Sequence, residues 1–210
     1  MYTLYFSPGS CSLIVNILLE ELGIAFETRK VDLEGGEHRR EPYLAVNPKG
    51  KVPALVTPEG VLTECVAILE YLCDKLGDGR WLGKPGTWQR AKTLEQVATC
   101  ATELHPLFGR FFHPDDYSDD PAVGEAVKAH AAKKLLAWFR AEDAKFPTPF
   151  WSGREPTLAD LYFVVLVRWG RWLTPPVNRL PRLEAFTARM GERPAVQRAL
   201  AREGIKLFGS

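Results

Sequence analysis

The sequence predicts an α+β protein in which a small sheet-containing domain is followed by an all-helical one. Strand-like and helix-like segments alternate through the first part of the chain, as in a small α/β sheet. A Gly- and Pro-rich stretch, "DGRWLGKPG", follows, and beyond it only helical periodicity is convincing. We therefore expect domains at residues 1–78 and 87–210, joined by a linker at 79–86.

The elements of the first domain follow from local patterns. The run Tyr2–Phe6 predicts a strand, and Leu13–Leu22 predicts a helix that Gly23 is placed to end. Phe26–Val31 alternates in the manner of a second strand. A looser segment comes next, and then a β-hairpin and a helix, at 52–57, 61–64 and 65–77.

The second domain carries helical spacing throughout. Its predicted helices are Thr87–Phe112, Pro121–Phe146, Leu158–Trp172, Leu183–Gly191 and Pro194–Arg202. Thr157, with Asp160 three residues later, forms a capping-box pattern before a run that is apolar on most faces. We expect that helix to be the buried centre of the domain.

The bulk composition excludes several classes of protein. Hydrophobic residues make up 46% and charged residues 25%, which is typical of a soluble globular chain. The net charge of +1 gives no reason to expect a nucleic-acid or anionic-membrane partner. The N-terminus lacks the pattern of a signal peptide, and no apolar run approaches the ~20 residues of a membrane helix. We expect a cytoplasmic protein.

The number and spacing of the cysteines also indicate a cytoplasmic protein. Cys11, Cys65, Cys73 and Cys100 show no CxxC or other metal-ligand spacing. Sparse cysteines of this kind fit a reducing compartment better than a disulfide framework. We expect no metal site.

The stretch "SPGSCSL" places Cys11 between a predicted strand and a predicted helix. A helix N-terminus carries partial positive charge and unpaired N–H groups, which lower the pKa of a nearby thiol. Ser10 and Ser12 can cap the helix and donate hydrogen bonds. Cys11 is therefore a candidate activated thiol, and the alternative is a small helix-start residue without chemical consequence.

Two further stretches could belong to a binding site. In "NPKGKVPAL", a cis bond before Pro53 would expose the Val52 N–H and C=O to a neighbouring peptide, although a plain trans proline at a strand start is commoner. In "TECVAI", Glu64 and Cys65 stand at a second helix N-terminus, which could hold a carboxylate and an ammonium group or be an ordinary cap.

These three stretches, in this order, resemble the glutathione transferase family. "WSGREPTLADLYFVVLVRW" and "FTARMGERPAVQRAL" are similar to its later helices, so the resemblance runs along the whole chain. "SPGSCSL", "NPKGKVPAL" and "TELHPLF" together look like its bacterial beta class, in which a cysteine replaces the Tyr or Ser of other classes. The resemblance implies a thioredoxin-like βαβαββα domain, an all-helical domain and a homodimer.

The resemblance also assigns roles to residues. It implies that Cys11 contacts or forms a mixed disulfide with the sulfur of glutathione, and that Val52 pairs with its cysteinyl part beside cis-Pro53. It implies that Glu64 and the N–H of Cys65 hold the γ-glutamyl end. It also makes His105 a catalytic candidate, although a lone helix histidine is more often structural. Tyr5 and Ser10 are further catalytic candidates beside the thiol. The expected hydrophobic pocket contains Phe108, Phe112 and Trp169, with core packing as an equal alternative for Trp169.

The chain departs from the family pattern at several of these positions. Cys65 stands where the family usually has Ser, and Pro106 stands where the beta class often has Lys. The lysine that usually meets the glycyl carboxylate is missing after "VDL". Lys51 or His38 would have to replace it, with Arg39 and Lys49 as other candidates.

The function implied by the resemblance is conjugation of reduced glutathione, as co-substrate, to small hydrophobic electrophiles. Thiol transfer through Cys11 is a possible second activity, because a reactive cysteine can exchange with glutathione disulfide. A non-catalytic binding or regulatory protein of the same fold is the alternative from another class. The sequence does not define the electrophile.

Overall fold

The computed structural model describes residues 1–208 and contains two compact units. The first comprises Met1–Lys84 together with the chain from Gly191 onward, and the second comprises Pro85–Met190. The domain boundaries expected from the sequence, at 78 and 87, stay predictions.

The first unit contains a four-stranded mixed sheet in the order β2-β1-β3-β4. Its central strand β1 pairs in parallel with β2 and antiparallel with β3, and β3 pairs antiparallel with β4. The strands are β1 (Tyr2–Phe6), β2 (Phe26–Lys30), β3 (Ala54–Thr57) and β4 (Gly60–Thr63). The predicted α+β class, with a thioredoxin-like N-terminal arrangement, is confirmed.

The helices of this unit are α1 (Ser12–Glu21), α2 (Tyr43–Val46), α3 (Cys65–Leu76) and α9 (Pro194–Glu203). Helix α1 is buried along its length up to Glu20, because the sheet unit surrounds it and α9 packs against it. At the edge of this contact, Glu21 accepts two hydrogen bonds from Arg193, at 2.6 and 2.9 Å. The C-terminal helix thus covers the helix that follows the predicted site loop.

A second ion-pair group joins α1 to α9. Glu20 accepts from Arg198 Nε at 2.5 Å and from Arg202 Nη2 at 2.6 Å. Burial alone would raise the pKa of the Glu20 carboxyl, but the two arginines outweigh burial and hold the pKa below its ordinary value of 4.5. The folded protein therefore binds this proton more weakly than the unfolded chain does.

This shift predicts a pH-dependent contribution to stability. The Glu20 carboxylate should stabilise the fold by about 1 kcal/mol at neutral pH, and this contribution should be lost as pH falls below about 4.5. The difference in unfolding free energy between wild type and Glu20→Gln, measured by urea denaturation, should therefore shrink with acidification. Glu27→Gln, on the exposed side of β2, serves as the control. A Glu20 difference that does not change with pH would contradict the assignment.

The helices of the second part of the chain are α4 (Trp88–Ala98), α5 (His105–Phe112), α6 (Pro121–Lys145), α7 (Leu158–Trp169) and α8 (Pro181–Glu192). A π-helical segment, Thr99–Leu104, connects α4 to α5 without a break. The predicted helix Thr87–Phe112 therefore exists, but with a wider turn inside it. The helix predicted to end at Trp172 instead leaves the α conformation after Trp169 and continues as a short 3₁₀ turn.

Helix α7 is the buried centre of its unit, as expected. Every residue from Leu158 to Arg168 is buried. The capping box predicted from Thr157 and Asp160 is present. Each of the two side chains accepts a hydrogen bond from the backbone N–H of the other residue. The Asp160 carboxyl also accepts from the Trp151 N–H at 2.7 Å, so it joins the preceding loop to the helix.

Within residues 1–208, no helix has the length and apolar character needed to span a membrane. The same part of the chain contains no group of three or more His, Cys, Asp or Glu side chains arranged to hold a metal ion.

Candidate active site

The loop between β1 and α1 is held by its own serines and by a carboxylate from the far end of the chain. The buried Ser12 hydroxyl donates to the Ser7 carbonyl and accepts from the Ser7 N–H, each at 3.2 Å. Ser10 Oγ lies 2.7 Å from Ser12 Oγ and accepts from the Ser12 N–H. The Gly9 N–H donates to Glu203 Oε2 of α9 at 2.7 Å. The start of α1 is therefore presented in a fixed geometry.

Cys11 lies at the position before α1 and is half-buried. Its thiol donates to the Val52 carbonyl at 3.4 Å. Burial raises the pKa of the thiol to about 12, and the carboxylates of Glu64 and Glu203 add to this rise, while the N–H groups of Cys11 and Ser12 oppose it. The N–H groups at the helix start thus act in the expected direction, but burial outweighs them, so the net shift of the thiol pKa is upward and not downward as expected.

The segment that leads into β3 meets this thiol through its backbone. The Val52–Pro53 peptide bond is cis. Just before it, the Lys51 carbonyl accepts from the Tyr43 hydroxyl and from the Asn47 amide, both at 2.6 Å. Burial raises the pKa of Tyr43 to about 12, so its phenol stays protonated and can donate. These two bonds fix the backbone next to Val52.

Two predicted residues, His38 and Tyr5, lie around the same segment, together with Gly50, which was not predicted. Gly50 has φ of 61°, and a Cβ there would come 2.8 Å from the His38 carbonyl, so the backbone approach requires glycine. His38 is half-buried, and its Nδ1 finds no hydrogen-bond partner within the described chain. Tyr5 packs its ring against Tyr43 and accepts from Arg29 at 3.4 Å.

Glu64 and Cys65 mark the start of α3. Glu64 has φ of 71°, and it is the one non-glycine residue of the described chain with a positive φ. Such a conformation costs about 1–3 kcal/mol and is typical of ligand sites. Its side chain is 66% exposed and pairs with Lys49 Nζ at 2.7 Å. The buried Cys65 thiol donates to the Cys11 carbonyl at 3.8 Å, so the starts of α1 and α3 are neighbours.

In the helical unit, the predicted residues form one aromatic cluster. The His105 ring meets the edge of Trp169 at 5.0 Å between ring centroids. Trp169 also packs against Phe108 at 5.5 Å and Phe112 at 6.1 Å. Phe108 is fully buried, whereas Phe112 is 38% exposed. Nδ1 of His105 lies 2.9 Å from the hydroxyl of Tyr162.

The candidate residues thus fall into two groups, one in each unit. Those in the sheet-containing unit are Tyr5, Ser10, Cys11, His38, Lys51, Val52, Pro53, Glu64 and Cys65. Those in the helical unit are His105, Phe108, Phe112 and Trp169.

Four residues that support these groups were not predicted from the sequence. Tyr43 and Asn47 hold the Lys51 carbonyl, Glu203 holds Gly9, and Tyr162 contacts His105. Asn47 belongs to the "NPKGKVPAL" stretch, which could have drawn attention to it. The other three carry no local signal, since their partners are distant in sequence.

The first group has the chemistry to hold a peptide-like ligand with charges at its ends. The Val52 carbonyl accepts from a weak S–H donor, which a peptide N–H could replace. The start of α3 offers N–H groups to a carboxylate, and Glu64 offers a partner to an ammonium group. The fold and the site together define a thioredoxin-like domain with a cysteine at its candidate ligand site, followed by a helical domain.

Comparison with known proteins gives the family. Residues 1–74 match the family described as "Glutathione S-transferase, N-terminal domain", and residues 99–194 match "Glutathione S-transferase, C-terminal domain". Glutathione S-transferase GstA of Escherichia coli O157:H7 is 38% identical over 97% of this chain and 99% of its own length. The chain therefore belongs to the glutathione S-transferase family.

Two solved structures illustrate the likeness. A bacterial beta class glutathione S-transferase from Sphingomonas chungbukensis is 32% identical, with a TM-score of 0.84 over 97% of this chain and 100% of that one. A sphingomonad glutathione S-transferase complexed with glutathione is 33% identical, with a TM-score of 0.83 over the same shares, 97% and 100%.

Proposed function

We propose that the protein is a glutathione transferase of the bacterial beta class, which joins reduced glutathione to small hydrophobic electrophiles. The observation that carries this proposal is the meeting of three features in one unit. The Cys11 thiol contacts Val52 beside a cis proline, and the Cys65 thiol at the start of α3 contacts the Cys11 carbonyl. Relatives named as glutathione S-transferases, one of them complexed with glutathione, support it.

The residues of the first group fit glutathione along its length. Glu64 would take the γ-glutamyl ammonium in place of Lys49, at small cost, because an exposed ion pair is worth less than about 1 kcal/mol. The Cys65 N–H would meet the γ-glutamyl carboxylate, and Val52 would pair with the cysteinyl backbone. The glycyl carboxylate would lie towards the basic side chains of Lys51 and His38.

This arrangement gives Cys11 a specific part in conjugation. When a peptide N–H of glutathione bonds the Val52 carbonyl, the Cys11 thiol is released from that carbonyl. Because its pKa is about 12, the thiol stays protonated and can donate to the glutathione sulfur anion. The glutathione thiol gives its proton to solvent, its sulfur attacks the electrophilic carbon, and the leaving group departs with its electron pair.

Thiol transfer is the second candidate activity, and the half-buried position of Cys11 favours it. The Cys11 sulfur would attack a glutathione-containing disulfide, forming a Cys11–glutathione mixed disulfide and releasing the other thiol. A second glutathione would then reduce Cys11 and leave as oxidised glutathione. The raised pKa makes this route slow at neutral pH.

The finer organisation belongs to the same proposal. Residues 1–78 would bind glutathione, and residues 87–210 would supply the electrophile pocket through Phe108, Phe112 and Trp169. The protein would act as a homodimer in the cytoplasm. Its four cysteines are all free, as a reducing compartment requires.

A binding and activity assay tests the proposal. The purified protein should be retained on immobilised glutathione, and it should accelerate the reaction of glutathione with an activated aryl halide such as chlorodinitrobenzene. Sedimentation of the same preparation should give twice the mass of the chain. A folded protein that neither binds glutathione nor accelerates the reaction would favour a non-catalytic binding role instead.

A further inference from the structure

The hydroxyl of Tyr162 lies in the most buried helix of the helical unit. Tyr162 is 1% exposed, and its neighbours on α7 are buried as well. A buried phenol must place its hydroxyl on a hydrogen-bonding partner, because leaving the group unsatisfied costs about 1–3 kcal/mol. Here the hydroxyl lies 2.9 Å from Nδ1 of His105.

Two α7 side chains confine the His105 ring. Tyr162 meets it edge-on at 6.2 Å between centroids, and Trp169 meets it edge-on at 5.0 Å. Tyr162 and Trp169 lie about two helical turns apart, so they share one face of α7. The ring orientation is thus set by one face of a single buried helix.

The π-helical segment before His105 contributes to this placement. Thr99–Leu104 packs against α7 and ends at the residue before His105. A π turn contains more residues than an α turn, so it rotates all later residues about the helix axis by about 100°. The direction of the His105 side chain therefore depends on this segment as well as on Tyr162.

We propose that Tyr162 is a positioning residue that fixes the tautomer of His105. The phenol is the more acidic donor and the imidazole nitrogen the more basic acceptor, so the bond is strongest when Tyr162 donates to Nδ1. The neutral ring then carries its proton on Nε2. An Nε2–H group is a hydrogen-bond donor with a fixed direction, suited to a sulfur anion or to a polarised substrate atom.

This inference rests on the proposed function only where it concerns catalysis. The tautomer is a property of the protein by itself. If His105 contacts the reacting atoms, losing the tautomer should lower kcat by about five- to tenfold, the rate equivalent of one neutral hydrogen bond. Because Tyr162 does not hold glutathione in the proposal, KM for glutathione should stay within about twofold.

Nitrogen NMR of histidine-labelled protein tests the proposal directly. In wild type, neutral His105 should show a protonated Nε2 and an unprotonated Nδ1. Tyr162→Phe keeps the ring and removes the hydroxyl, and it should give a mixture of both tautomers. Tyr117→Phe, an exposed tyrosine of the same unit, is the matched control and should leave the His105 signals unchanged.

The outcomes separate the two proposals. A wild-type His105 protonated on Nδ1, or a Tyr162→Phe spectrum identical to wild type, would overturn the positioning role. If the variant does not fold, the wild-type spectrum alone decides. A tautomer change in a protein without transferase activity would uphold the positioning role and reject the proposed function. In a His105→Ala background, Tyr162→Phe should cause no further loss of kcat, and an additional loss would overturn the link to His105.

Discussion

Replacing Cys11 with alanine should lower glutathione-dependent thiol transfer by more than about 100-fold while conjugation falls by less than about tenfold. Thiol transfer requires the Cys11 sulfur to form and break a bond, whereas conjugation uses the sulfur of glutathione itself. Both activities should be measured on the same preparations of wild type and variant. Equal losses of the two activities would mean that they share a covalent step at Cys11.

Mass spectrometry locates the reacting thiol. Oxidised glutathione should add one glutathione moiety to the wild type, and the Cys11→Ala variant should not gain it. Cys65→Ala is the matched control, because Cys65 lies beside Cys11 but is buried. It should still gain the adduct. An adduct that persists in Cys11→Ala would place the chemistry at Cys65.

The pH dependence of Cys11 alkylation distinguishes the raised thiol pKa found in the structure from the lowered pKa expected from the sequence. With a pKa of about 12, the thiolate of Cys11 is a small fraction at neutral pH and grows about tenfold with each unit of pH. Alkylation of Cys11 by iodoacetamide should therefore keep accelerating through the mildly alkaline range. A plateau near neutral pH would show that the helix end dominates after all.

Replacing Asp160 with alanine should have the largest effect on stability. Its buried carboxyl accepts from the Trp151 N–H at 2.7 Å, the Ser152 hydroxyl at 2.6 Å and the Thr157 N–H at 2.8 Å. Alanine leaves these donors buried without their acceptor, at a cost of about 3 kcal/mol or more. That is a large share of the stability of an ordinary domain, so the melting temperature should fall markedly.

Asp120 provides the matched control for this variant. It caps α6 by accepting from the Ala122 N–H at 2.9 Å, but it is exposed. Its replacement by alanine should cost only about 1 kcal/mol, because water can satisfy the released N–H. Urea denaturation of both variants makes the comparison, and equal losses would contradict the view that burial makes the Asp160 contacts expensive.

Much of the fold could be predicted from the sequence, because its signals are local. The strand Tyr2–Phe6 has the predicted bounds, and the capping box of Thr157 and Asp160 predicted where α7 begins. The π turn at Thr99–Leu104 could not be predicted, since its residues suit an α-helix equally well. The choice between the two depends on packing against other helices.

The candidate site, like the fold, could be predicted from the sequence only in part. The contact of the Cys65 thiol with the Cys11 carbonyl was not predicted, but the cis bond before Pro53 agrees with its motif. The pKa of Cys11 does not, because it depends on burial and on Glu203, whose partner Gly9 is 194 residues away in the chain. Contacts of that range leave no pattern in a sequence window.

The positive φ of Glu64 affects which substitutions this position can accept during evolution. Glycine at this position would relieve a conformational penalty of about 1–3 kcal/mol and make the fold more stable. The same substitution would remove the carboxylate that pairs with Lys49. Selection for stability alone would therefore replace Glu64, and the proposed contact of its carboxylate with the glutathione ammonium would explain why it is present. In descendants that lose glutathione binding, position 64 should be among the first to drift towards glycine.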